Sequence, residues 1–80
     1  MGRTPRRLPL HLEFGQRVRS RRHELGWTIE RLAEEAGLHW SYVGQAERGE
    51  RNVGMQNICK LAAGLGVGAG QLMADLERLL

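Results

Sequence analysis

Apolar positions along this chain recur at helical spacing, and no segment shows a convincing period-2 alternation of the kind that marks a half-buried strand. A first helix is predicted from about Leu10 to Leu25, with Phe14, Val18 and Leu25 at i, i+4 and i+11, closed by Gly26 as glycine closes many helices. A second begins at Thr28, whose hydroxyl suits an N-cap, and carries Ile29, Leu32, Ala33 and Ala36 at i, i+3, i+4 and i+7 before Gly37 ends it. A short third helix starts around His39, has Val43 and Ala46 as its apolar pair, and stops at Gly49. After a loop over residues 49–54, a fourth runs from Met55 to Leu65 on Ile58, Leu61, Ala62 and Leu65. Gly64, Gly66, Gly68 and Gly70 then crowd a turn, and a fifth helix carries Leu72, Met73, Leu76, Leu79 and Leu80. The expected fold class is all-α: a compact domain of five short helices over residues 10–80, preceded by a flexible basic arm at residues 1–9 that contains Pro5 and Pro9.

Size and charge narrow the functions this pattern can serve. A chain of 80 residues holds one domain. It buries only about 60% of its unfolded surface, which leaves little room for an enclosed active site. No apolar run approaches the ~18 residues of a membrane span, and the N-terminus lacks the apolar stretch of a signal peptide. A single cysteine, Cys59, excludes an internal disulfide and suits a reducing, cytoplasmic compartment. The net charge of +3 is unevenly distributed. Residues 1–22 hold seven arginines and one acid, a net +6, whereas residues 23–80 hold five basic and eight acidic residues, a net −3. A basic segment on a mildly acidic body fits either an anionic partner such as nucleic acid or a solvated arginine-rich helix face.

The segment Thr28–Arg48 carries the chemistry. Two short helices joined by a turn containing Gly37 match the helix-turn-helix motif, with glycine supplying the left-handed backbone that the turn needs. At about 100° per residue, Val43, Ala46 and Glu47 share one side of the third helix, and Ser41, Gly44, Gln45 and Arg48 share the other. The outward set is small or polar and has no carboxylate, which suits a groove lined by phosphates. Ser can bond base or phosphate, Gln can pair with adenine, and Arg can reach guanine or phosphate. Glu47 on the inward side needs a partner, and Arg22, with Arg21 as its competitor, stands on the facing edge of the first helix.

Residues from about Phe14 to Met73 resemble the phage-repressor-like (Xre-type) helix-turn-helix family. The resemblance rests on Arg17-Val18-Arg19-Ser20-Arg21-Arg22 with Leu25-Gly26, on Thr28 through Leu38, and on Ser41-Tyr42-Val43. It continues through Glu47-Arg48-Gly49-Glu50-Arg51-Asn52 and Ile58 through Val67. The version with Ser-Tyr-Val followed by Glu-Arg-Gly-x-Arg-Asn is most similar to the small controller proteins of restriction–modification systems. The resemblance implies a sequence-specific transcriptional regulator that binds a palindromic operator in double-stranded DNA as a homodimer, with the third helix in the major groove. It further implies base reading by Trp40, Ser41, Tyr42 and Gln45, DNA-backbone contacts from Thr28, Arg48, Arg51 and Asn52, and a structural salt bridge between Arg22 and Glu47. His39 stands where such helices usually place Ser, Thr or Asp.

Leu72, Met73, Leu76, Leu79 and Leu80 exceed what one small core needs, and the family dimerises through this end. Leu72, Leu76, Leu79 and Leu80 are therefore the expected dimer interface, aided by residues 64–67. No enzyme, cofactor, metal or small-molecule substrate is expected. The four glycines do not follow a strand as phosphate-binding loops do, and His11, His23, His39 and Cys59 lack ligand spacing. Cys59 is expected to be partly buried, and His39 and Ser41, two residues apart, are not expected to face each other. The rival class is an antitoxin-like or other protein-interaction module that uses the same fold without binding DNA.

Overall fold

The computed structural model describes residues 8–80. It contains five α-helices and a short 3-10 turn, and the described residues form no strand. The helices are α1 (Pro9–Glu24), α2 (Ile29–Ala36), α3 (Trp40–Glu47), α4 (Met55–Leu65) and α5 (Ala69–Met73), with the 3-10 turn at Leu76–Leu79. Most of the basic arm expected at residues 1–9 lies outside the described residues. Its last member, Pro9, opens α1, where a missing N–H costs nothing.

The helix boundaries follow from local chemistry. Thr28 Oγ1 accepts the Arg31 amide at 3.0 Å and so caps α2. Gly37 and Gly66 close α2 and α4 in the left-handed conformation, at φ 70° and 71°. The apolar stripes converge on one core: Phe14 and Val18 from α1, Leu32, Ala33 and Ala36 from α2, Val43 from α3, and Leu61, Ala62 and Leu65 from α4.

Four expectations fail here. Gly64 is not part of a turn. It lies inside α4, where an added Cβ would stand 3.0 Å from the Ala36 amide nitrogen, so its absence lets α4 press against the end of α2. The fifth helix is not continuous: it ends at Met73, Ala74 is extended, and Asp75 adopts φ 61° before the 3-10 turn. That kink turns Leu72 and Leu76 into the chain's own core, at 3% and 4% exposure, and leaves Leu80 outside at 93%. Leu72 and Leu76 are therefore covered in the monomer and do not present a dimer surface. Cys59, finally, is exposed rather than partly buried, because it sits beside the α4 stripe and not on it.

Candidate nucleic-acid interface

The site is built on α3, which is fixed at both ends and along its inner side. At its start, Gly37 and the bond from the Leu38 amide to the Ala33 carbonyl, at 2.9 Å, reverse the chain out of α2. His39 is extended, and its Nδ1 accepts the Ser41 amide at 3.1 Å. An imidazole thus performs the capping that a Ser, Thr or Asp would perform, because its ring nitrogen reaches the same orphan amide. Ser41 Oγ also lies 2.7 Å from that nitrogen, so the two side chains do face each other, contrary to expectation. The helical-spacing argument fails because His39 precedes the helix. The arrangement is a helix cap on the surface, and among the described residues no buried third group orients it for catalysis.

At the other end, Glu47 is buried against α1. Arg22 meets it with two bonds, Nε to Oε2 at 2.7 Å and Nη2 to Oε1 at 2.9 Å, and donates from Nη1 to the Trp27 carbonyl at 2.8 Å. Arg21, the competing partner, instead donates to the Leu65 carbonyl at 3.1 Å and pairs with Glu24. The hydrogen bonds to Glu47 hold Arg22 above the usual arginine range, against the opposing effect of burial. Gly15 completes this end. A Cβ there would meet the backbone of Ala46 and Glu47, with the Glu47 carbonyl carbon at 2.8 Å, so α1 and α3 touch main chain to main chain.

The outward side of α3 stays open except at Gly44, expected there but buried, with the Arg48 guanidinium beside it. Trp40 is 56% exposed and its ring stacks on that of His39, with centroids 5.6 Å apart. Ser41, Tyr42 and Gln45 are half-buried along the same face. Thr28, Arg48, Arg51 and Asn52 are exposed around it. Thr28 uses its oxygen as the α2 cap, which leaves its hydroxyl proton available to an incoming acceptor. Arg48 pairs with Glu50 at 3.1 Å, an exposed bond weak enough to exchange for a phosphate. Arg51 donates from Nε to Gln45 Oε1 at 2.8 Å, and its guanidinium carbon lies 5.2 Å from the Tyr42 ring centroid. No spacing rule points to this cluster, because Gln45 lies on the helix and Arg51 six residues later in the loop.

The basic character of α1 is largely internal. Arg17 donates to the Leu72 carbonyl at 3.2 Å, and Arg21 and Arg22 are committed as above, so three of its four arginines satisfy carbonyls and carboxylates of this chain. Among the described residues no helix is long and apolar enough to cross a membrane. No group of three or more His, Cys, Asp or Glu among them could hold a metal ion.

Comparison with known proteins agrees with this geometry. Residues 13–76 match the model of a helix-turn-helix domain family. A hypothetical transcription factor from Neisseria meningitidis serogroup B is 44% identical over 55 residues, which is 69% of this chain and 52% of that protein. The chain thus spans about half the length of that relative. Among solved structures, the restriction-modification controller protein C.AhdI from Aeromonas hydrophila superposes with a TM-score of 0.76 at 47% identity, over 78% of this chain and 94% of that one. SinR, a master regulator for biofilm formation solved in complex with DNA, gives 0.70 at 37% identity, over 74% and 95% of the two chains.

Proposed function

The chain belongs to the helix-turn-helix domain family, and on that footing we propose that it is a DNA-binding transcriptional regulator of the restriction–modification controller kind. It acts in the cytoplasm as a homodimer on a two-fold symmetric operator, with one α3 in the major groove of each half-site. The observation that carries this reading is the asymmetry of α3. Its inner side is locked to α1 by the buried Arg22–Glu47 pair, while Trp40, Ser41, Tyr42 and Gln45 remain open on the outer side. A helix held this rigidly with an acid-free outer face suits entry between phosphate walls, where a carboxylate would be repelled. Thr28, Arg48, Arg51 and Asn52 flank the face and serve as backbone contacts. Self-association uses the C-terminal end, where Leu80 is exposed and Leu79 half-buried.

The test is a gel shift on the DNA upstream of the protein's own gene, combined with sedimentation. A two-fold footprint bound by a dimer is expected. With about six to eight phosphates neutralised per dimer, log affinity should fall against log salt with a slope of about −5 to −7. Monomeric protein without DNA affinity at low salt would favour the protein-interaction class instead.

A further inference from the structure

Gln45 is the side chain on the reading face whose two ends differ in hydrogen-bonding sense, and the structure settles which end Arg51 engages. Arginine has donors and no acceptor. The amide atom at 2.8 Å from Arg51 Nε must therefore be the oxygen, whichever way an isolated amide would turn. The Arg51 guanidinium also lies over the Tyr42 ring, with Cζ 5.2 Å from the ring centroid. Tyr42, Arg51 and Gln45 form one preassembled unit in which the Gln45 carbonyl already accepts a charged N–H, while its NH2 group is not engaged by Arg51.

We propose that Arg51 is a positioning residue that makes Gln45 a donor-only reader, so that the protein selects guanine over adenine at the base pair beneath Gln45. This rests on the DNA-reading function proposed above. Glutamine recognises adenine by accepting from N6 while donating to N7, whereas guanine offers two acceptors, N7 and O6, on the same edge. An amide oxygen already accepting a charged N–H is a poor acceptor for the adenine amino group, and the other N–H groups of the guanidinium repel that group's hydrogens. Toward guanine, the Gln45 NH2 has the right sign, and Arg51 acts through it, with its remaining N–H groups serving the phosphate contact proposed above. The unit thus inverts the preference that glutamine would show alone.

The experiment is selection from a random duplex library with the full-length wild type and with Q45A, R51M and R51K, each checked for an unchanged unfolding midpoint. The Q45A profile identifies the position that Gln45 reads as the one whose preference flattens. At that position the wild type should favour guanine over adenine by about tenfold. R51M, and R51K with its charge retained but its planar fork lost, should bring that ratio to about twofold or invert it. Adenine preferred by the wild type, no position flattened by Q45A, or R51M weakening all sequences equally at an unchanged ratio would each overturn the proposal while leaving DNA recognition intact. A wild type that enriches no sequence would overturn the DNA-reading function itself, and this inference with it.

Discussion

The Arg22–Glu47 pair shows how a single interaction joins stability to function. Both side chains are nearly withdrawn from water, yet each polar atom that the pair buries has a partner. Such a pair adds little net stability compared with an apolar substitute, but breaking one half leaves an uncompensated buried charge. Arg22→Ala is expected to cost about 3–5 kcal/mol in chemical denaturation, whereas the double variant Arg22→Met with Glu47→Leu should recover most of that loss. Because pairing raises the Arg22 pKa, its stabilising contribution is complete below the usual arginine range. It is lost only as pH rises through the raised value, so titration from neutral to moderately alkaline pH should leave this contribution unchanged.

Between helices, the informative residues are those with no side chain. Replacing glycine by alanine in a helix ordinarily gains about 0.5–1 kcal/mol. At Gly15 the new Cβ would run into the backbone of α3, and relieving such overpacking costs about 1–3 kcal/mol, so the clash outweighs the propensity. Gly15→Ala is therefore expected to lower the thermal midpoint, and because it shifts α3, to weaken DNA binding as well. Gly70, inside α5, has open space around it, and Gly70→Ala should raise the midpoint. The two variants make the same chemical change, so opposite signs would separate helix contact from helix propensity. A gain at both positions would show that α1 does not pack main chain to main chain on α3.

For the molecule as a whole, the kink at Ala74–Asp75 divides the C-terminal leucines into two jobs. Leu72 seals the core, and Leu72→Ala should cost about 2–5 kcal/mol of unfolding free energy. Leu80 touches little of its own chain, so Leu80→Asp should leave unfolding unchanged and raise the dimer dissociation constant measured by sedimentation. If Leu80→Asp unfolds the chain, or leaves the dimer intact, the C-terminal end is not the association surface proposed above.

Much of this was legible in residue order, because the contacts concerned are local. The helical stripes of α2 and α4, the Thr28 cap and the Gly37 turn each depend on residues within a turn or two, where periodicity and backbone freedom are read off directly. The outward placement of Ser41, Gln45 and Arg48 followed from the same angular arithmetic, whereas Gly44, assigned to that side, is buried. The rest depends on approach between segments distant in the chain, for which spacing carries no signal. Gly15 and Gly64 look like ordinary weak points in a helix until another backbone is placed against them. The arginines of α1 look like bait for an anion until the carbonyl ends of α4 and α5 arrive beside them. Leucine spacing predicted one continuous terminal helix, but a left-handed Asp75 rotates half of it inward, since burying Leu76 outweighs one strained residue.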